Sequence, residues 1–504
     1  QVFGEYITKK VRNFWQNEAQ RALNSRSAPE GFWEQINQHL KISWVLQEVD
    51  PEKYAQHFSQ IEKQLGKVKN LPTFEQFNYE DTLGEKGRKC SLDGERNALF
   101  FGPKTNPKYY KVWNKQAYVK PVRRLDKNEG LSAVSYLKRF YEYHDKKQRK
   151  LSALPSTAYV TLLDTLNQVD STILQKYQEA FEFNVKKIFE ENTTIRLTQE
   201  DHWIEYDEDF LFEENLVSKY VPAPLQLKQI RQVHLELTNF FAKQGLKFNK
   251  YYAVLLFDVD QMGGWLSGEK LLPDYQKEKL REFHQEFSKL LLEYAQETRQ
   301  LLSPENQRGQ VVYAGGDDFL GFVNLTHLFD AVVDLKETFQ KQVATQIEAT
   351  YADANTHLHF SAGVVIAHYK TPFSEVLKKA RQMESLAKTS GGRNAFAMAT
   401  MKHSGEVQET VFKWGAGPSN LHWQALHHIT NALRSDVVSS KFIFNLSTEL
   451  YQLAGINSVR IDQPDAEALF IEFRRLLLRA KSTTTTPEQI NQLWNALKDL
   501  YRAS

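Results

Sequence analysis

The spacing of apolar and polar positions changes character along this chain. Early on, "LKISWVLQEV" (40–49) alternates with a period of two and predicts a strand. "EDTLGEKGRKCSLDGERNALFFG" (80–102) is rich in Gly and Lys and reads as a loop entering another strand, and residues from about 160 to 240 read mostly as helices. From residue 250 the signals sharpen. "KYYAVLLFDVD" (250–260) is a short apolar run bounded by charge, the pattern of a buried strand. Leu280, Phe283, Phe287, Leu291 and Tyr294 then recur at helical spacing. "QVVYAGGDDFLGFV" (310–323) places two short strands around a turn, and Leu328, Val332, Leu335 and Phe339 mark a second helix. A strand at "LHFSAGVVIAH" (358–368), a helix at "PFSEVLKKARQMESLAK" (372–388) and a strand at "NAFAMAT" (394–400) complete the series. The order β-α-β-β-α-β-α-β contains a ferredoxin-like βαββαβ core with one added helix and strand. Beyond about residue 404 the pattern is helical to the end, with Pro487 placed to start the last helix. That tail holds no clustered ligands or nucleophile and reads as a docking module.

Composition narrows the class without naming a function. The chain has 504 residues, 41% apolar and 25% charged, which is ordinary for a globular protein with several cores. No run approaches the roughly 18 apolar residues of a membrane span, and no signal-peptide pattern opens the chain. One cysteine, Cys90, excludes an internal disulfide and fits a reducing, cytoplasmic setting. The net charge of +2 does not advertise nucleic-acid binding, yet its distribution is uneven. Lys and Arg side chains interleave with Tyr109, Tyr110, Trp113 and Tyr118 between Lys104 and Lys127, a mixture able to meet phosphates and bases. "EDHWIEYDEDFLFEEN" (200–215) is acidic throughout and reads as an exposed face or a surface for a basic partner.

The candidate chemistry lies at the tip of the central hairpin. Asp317 and Asp318 follow Gly315 and Gly316, and Asp258 and Asp260 end the first strand of the same predicted sheet. The topology brings these strand ends side by side. Carboxylates crowded in one place repel unless a cation neutralises them, and hard oxygen donors favour Mg²⁺ or Mn²⁺, ions that also bridge nucleotide phosphates. The two glycines fit a tight turn that lets a triphosphate approach the backbone. Lys388 at a helix end and Arg393 before the last strand could reach that triphosphate from across the sheet. The pair His144–Asp145 lacks the further ligands of a metal-dependent phosphohydrolase, and His427–His428 reads as structural.

These residues carry a resemblance to the large subunit of type III-B (Cmr-type) CRISPR effector complexes, the palm-containing subunit with the GGDD signature. "FDVDQMGGWLSG", "VVYAGGDDFLGF", "FSAGVVIAHYKTPFSEVLKKARQMESLAK" and "GRNAFAMATMKHSGE" look like successive family blocks, as do "LSAVSYLKRF" and "LPSTAYVTLLD" upstream. "KCSLDGER" is similar to the family's small zinc-binding loop, but Asp93 stands where a second cysteine is expected, so no zinc is expected here. The family's N-terminal HD nuclease domain is not among these residues.

The resemblance implies an α+β fold with two ferredoxin-like palm domains and helical domains. The implied organisation is a degenerate palm with a zinc-loop-like insertion over 1–160, a helical domain over 161–240, the GGDD palm over 241–403 and a C-terminal helical domain over 404–504. It implies a subunit that works with the other Cmr-type subunits, a guide CRISPR RNA and a complementary target RNA, with no membrane. Target binding would switch the palm to convert ATP into cyclic oligoadenylate. On this chain, Asp258 and Asp317 would be metal ligands, and Asp318 would hold a second ion or help deprotonate the 3′-hydroxyl. Asp260 would support them, the Val259 carbonyl would complete the coordination, and Ser361 and Gly363 would line the site. A GGDEF-type cyclic dinucleotide synthase shares the palm but has Glu at the fourth motif position. A non-enzymatic scaffold subunit would have no need of the intact aspartates.

Overall fold

The computed structural model describes residues 2–23, 26–71, 78–79, 82–83, 87–101, 125, 129–145, 156–169, 171–175, 177–179, 211–215, 224–246, 248–277, 279–415, 421–454 and 463–503. The basic segment 104–124 and most of the acidic segment 200–215 lie outside them. Two compact units make up the chain: residues 1–154, 179–206 and 220–230 form one, and residues 155–178, 207–219 and 231–504 the other.

In the first unit, helices Val2–Leu23, Phe32–His39, Tyr54–Asn70 and Ala133–Asp145 accompany two antiparallel strand pairs. These pairs are β1 (Asn78–Tyr79) with β2 (Thr82–Leu83), and β3 (Phe100–Phe101) with β4 (Gly130–Leu131). Leu23, Phe32, Ile36, Phe100, Leu131 and Leu137 form its core, with the Phe100 and Tyr136 rings stacked 3.8 Å apart. The strand expected over 40–49 is absent; that segment runs without a ladder partner among the described residues. Trp44 instead lies against Gly4 of the first helix, where an added Cβ would stand 2.5 Å from the indole. A period of two is also satisfied by an extended segment laid on a helix, so the pattern alone did not require a sheet. In the zinc-loop-like turn, Asp93 takes hydrogen bonds from the Ser132 hydroxyl (2.7 Å), the Ser135 hydroxyl (3.1 Å) and the Glu95 and Arg96 amides. Burial works against its charge, but these donors outweigh it and hold the carboxyl below the usual range.

The second unit contains the palm. Strands β5 (Tyr251–Val259), β6 (Gly309–Ala314), β7 (Asp318–Asn324), β8 (Phe360–His368), β9 (Ala395–Met401) and β10 (Val407–Lys413) form one sheet in the order β10-β9-β8-β5-β7-β6. Its four-stranded heart, β8-β5-β7-β6, is wholly antiparallel, as a ferredoxin-like core requires. The helix Phe373–Lys388 then crosses over to β9, which runs parallel to β8. The tail is not helical from residue 404. The turn at Gly405 (φ 92°) reverses the chain, and β10 pairs back along β9 before the helices begin. Its edge position, with one weakly apolar face, hid it from the hydrophobic pattern.

Each face of the sheet is covered by different helices. Tyr252, Val254, Val365, Ala367 and Ala397 pack against Val376, Ala380, Met383 and Ala387 of the crossover helix, and against Val160 and Leu163 of helix Thr157–Leu166. That second helix crosses the 160/161 boundary expected from sequence. It is tied to the sheet by the Asn324 amide on the Val160 carbonyl (2.9 Å) and the Thr326 hydroxyl on Asp164 (2.6 Å). On the opposite face the Phe257 ring stacks on Phe319 (4.6 Å) and Phe360 (4.4 Å). Gly363 sets the height of the crossover helix: a Cβ there would overlap the Ala380 carbonyl and stand 2.5 Å from the Glu384 nitrogen. Helix and strand thus approach closely, which brings the C-terminal turn of the helix down to the strand ends.

Helices Leu421–Arg434, Lys441–Ala454, Gln463–Ala480 and Pro487–Ala503 end the chain. Phe442, Leu476, Leu477, Ile490 and Leu493 form their shared core. Pro487 opens the last helix as expected, and Thr486 and Gln489 cap it reciprocally (2.9 and 3.2 Å). His427 stacks on Phe329 at 4.9 Å, a packing role. No helix among the described residues is long and apolar enough to cross a membrane.

Candidate active site

Register places the aspartates. Asp258 of β5 is the direct cross-strand partner of Asp318 on β7 and of Ser361 on β8. Directly opposed residues point to one face with Cβ atoms roughly 5 Å apart, so the Asp258 and Asp318 side chains share a face. The Val259 amide donates to the Asp317 carbonyl (2.9 Å), which fixes Asp317 at the mouth of the hairpin beside them. Burial raises the Asp317 pKa, and the nearby charges of Asp318 and Asp258 push it further in the same direction. Three of the residues expected to act together are therefore neighbours, and their mutual repulsion is felt.

A lysine answers part of that charge. The Lys388 ammonium, at the end of the crossover helix, is hydrogen-bonded to Asp258 and paired with Glu384 one turn earlier. Burial alone would lower its pKa; the bonds to Asp258 and Glu384 more than offset this and raise it. Lys388 comes from the helix on the face that Asp258 shares, rather than from across the sheet, and rests on that carboxylate. Glu384 was not anticipated, although its i,i+4 spacing to Lys388 was visible.

Asp260 belongs to a different arrangement. It is 4% exposed, with both carboxylate oxygens 2.9 Å from the Ser361 hydroxyl and one of them 2.9 Å from the Asn394 amide. The Arg393 guanidinium stands 4.0 Å away. Burial raises the Asp260 pKa, with the Asn394 and Ser361 hydrogen bonds working against the rise. Asp260 therefore clamps the loop before β9 to the end of β5 rather than opening toward a ligand. Ser361, expected to line the site, is completely buried under this clamp. Val259 is buried as well.

The two glycines of the turn do different work. Gly316 has φ 105°, a conformation that L side chains avoid. Gly315, whose amide donates to the Asp318 carbonyl (3.0 Å), has no such backbone demand. A Cβ at Gly315 would instead fall on the hydroxyl of Tyr313 and lie 2.8 Å from an Asp318 carboxylate oxygen. Tyr313 is a further residue the sequence reading passed over.

Among the described residues no three His, Cys, Asp or Glu side chains converge closely enough to hold a metal ion as they stand. The donor set nevertheless suits a hard divalent cation. Asp258 and Asp318 face the same way, Asp317 adjoins them, and an ammonium already sits on Asp258 in the place of a cation. Mg²⁺ or Mn²⁺ would be held by Asp258, Asp317 and Asp318 once Lys388 moves aside, and would supply Lewis acidity and a bridge to phosphate oxygens.

Comparison with known proteins agrees with this architecture. Residues 251–397 match the family model described as Cas10/Cmr2, second palm domain. The CRISPR system Cmr subunit Cmr2 of Pyrococcus furiosus is 24% identical over 375 residues, covering 68% of this chain and 38% of that protein. The chain thus spans well under half the length of this curated relative. A type III-B Cmr-beta structure in its apo state superposes with a TM-score of 0.50 at 12% identity, over 90% of this chain and 61% of the other. The Cmr-beta structure bound to cognate target RNA gives 0.54 at 12% identity, over 99% and 69%. At such identity these two structures establish the fold. Residues 251–397 are thus similar to the second palm domain of Cas10/Cmr2 proteins.

Proposed function

We propose that this chain is the palm-bearing large subunit of a type III-B CRISPR RNA-guided effector complex, and that its palm joins ATP molecules into cyclic oligoadenylate when target RNA binds. The observation that carries the reading is the cross-strand pair Asp258–Asp318, with Asp317 adjoining and Lys388 overhead. In each step the 3′-hydroxyl oxygen of one nucleotide attacks the α-phosphorus of the next. A P–O bond forms, the bond to pyrophosphate breaks, and the hydroxyl proton leaves to Asp318 or to water beside it. Divalent ions, held by Asp258 and Asp317, would supply charge neutralisation for this exchange. Asp258 and Asp317 hold that charge at the strand ends. Lys388, released from Asp258, follows the negative charge onto the triphosphate. Arg393 stands at the same end of the sheet, and Gly316 leaves the hairpin turn without a side chain to obstruct phosphates.

The guide CRISPR RNA, the target RNA and the other Cmr-type subunits are the partners this reading requires, acting in the cytoplasm. The test is to incubate the assembled complex with guide and target RNA, ATP and Mg²⁺ or Mn²⁺, and to identify products by mass. Cyclic oligoadenylate that disappears in the Asp317→Ala, Asp318→Ala double variant, with assembly intact, is the expected result. ATP consumption by that variant at the wild-type rate places the chemistry elsewhere. Cyclic diguanylate made from GTP as the only product identifies a GGDEF-type synthase instead.

A further inference from the structure

Three successive residues before β9 adopt the left-handed backbone conformation: Gly392 (φ 64°), Arg393 (φ 60°) and Asn394 (φ 44°). Glycine enters this region freely and asparagine at modest cost, but arginine avoids it, and L residues rarely follow one another there. Such a run persists only where its surroundings hold it. Successive residues in a helical conformation point their carbonyls the same way, so the turn offers two oxygens side by side.

Lys413, the last residue of β10, answers that pair. Its ammonium donates to the Gly392 carbonyl and to the Arg393 carbonyl, both at 2.7 Å. The Asn394 carbonyl accepts from the amide of buried Trp414 (3.1 Å), so β10 grips three successive carbonyls of the turn. The amides have other anchors: Arg393 donates to the Ala387 carbonyl (3.2 Å) and Asn394 to buried Asp260 (2.9 Å). What this turn carries is the Arg393 side chain, which is 47% exposed with its Nε 4.0 Å from Asp260. Asp260 already takes the Ser361 hydroxyl and the Asn394 amide, so the guanidinium is loosely paired and open to a further anion. Lys413 is itself exposed, and solvated hydrogen bonds of this sort add little to folding stability. Their effect falls on the turn: they fix the backbone from which Arg393 departs.

We propose that Lys413 is a positioning residue for Arg393: by bridging the Gly392 and Arg393 carbonyls, it holds the left-handed turn that presents the guanidinium to the triphosphate of a bound nucleotide. This rests on the nucleotidyl-transfer reading above and adds to it a residue from β10, a strand outside the ferredoxin-like core.

The experiment measures binding of inorganic tripolyphosphate to the purified chain in Mg²⁺ by titration calorimetry, with amide hydrogen exchange over residues 387–394 read by mass. Arg393→Ala and Lys413→Met are each expected to weaken tripolyphosphate about tenfold or more, the scale of a charge-assisted hydrogen bond lost or misaligned. Lys413→Met should also speed exchange in the turn, whose amides lose the support of its carbonyls. In an Arg393→Ala background, Lys413→Met should add nothing, since there is no guanidinium left to aim. A Lys413→Met effect of equal size in both backgrounds overturns the proposal, because Lys413 would then act on the phosphates without Arg393. Unchanged exchange in Lys413→Met overturns it too. If Arg393→Ala weakens binding and Lys413→Met does not, the positioning role alone falls. If the wild-type chain binds no tripolyphosphate, the triphosphate reading of this end of the sheet and the role of Lys413 fall together.

Discussion

The Ser361 hydroxyl lies 2.9 Å from each carboxylate oxygen of Asp260, both residues being buried where β5 ends and β8 begins. With the Asn394 amide, this one contact holds the strand carrying Asp258 against the loop carrying Arg393. It separates two aspartates that are only two residues apart: Asp258 opens to the site, and Asp260 supports it from within.

Ser361→Ala should therefore destabilise the palm by about 1.5–3 kcal/mol, the range for a hydrogen bond to a charged group. Chemical denaturation of the free chain measures it. A loss within error of zero would show that Asp260 finds other donors and that the clamp is not needed.

Asp317 offers a test by pH. Its folded-state pKa is raised, so the folded chain holds this proton more tightly than the unfolded chain does. Stability therefore falls as pH rises from the ordinary carboxylate value through the raised one, and stays low above it. In chelator, Asp317→Asn removes that fall, so the variant should gain on wild type across this window and keep its advantage at neutral pH. A stability difference that does not change with pH would contradict the burial and repulsion assigned to Asp317.

Lys388→Met should lower the melting temperature of the metal-free chain, because Asp258 and Glu384 then face each other without the ammonium. The expected loss is about 1–3 kcal/mol, that of leaving partly buried charges unpaired. Added Mn²⁺ should restore more stability to this variant than to wild type, since the cation takes the vacated place. Equal metal-induced shifts in both proteins would argue that Lys388 does not compete for the site.

Gly363→Ala tests the seating of the crossover helix. The added methyl meets the backbone at Ala380 and Glu384, neither of which can rotate aside. A destabilisation of about 1–3 kcal/mol is expected, as for overpacking in a filled core. Because the helix must rise, the Lys388–Asp258 bond should loosen too, and an added Lys388→Met change should then cost less than it does alone. Full additivity of the two changes would show that the helix height and the ion pair are independent.

The palm was legible in the sequence because its signals are local and periodic. Strand "KYYAVLLFDVD", the hairpin around GGDD and the two amphipathic helices each declare their type within a few residues. Chain order alone then makes Asp258 and Asp318 neighbours, and the register confirms the pairing. Features decided by one-residue register or by distant packing were not legible. A bulge in β6 at Val312 turns Tyr313 from the aromatic face to the carboxylate face, and no composition or spacing marks it. Asp260 has the same type and strand parity as Asp258, yet a buried hydroxyl from β8 and an amide from the loop before β9 draw it inward. The strand Val407–Lys413 exists because β9 offers it an open edge, and residues 40–49 lack a ladder because the first helix covers Trp44 instead. Sequence determined which residues could meet at the strand ends; hydrogen bonds between segments far apart in the chain decided which way each of them faces, because a strand side chain changes face with every single-residue step.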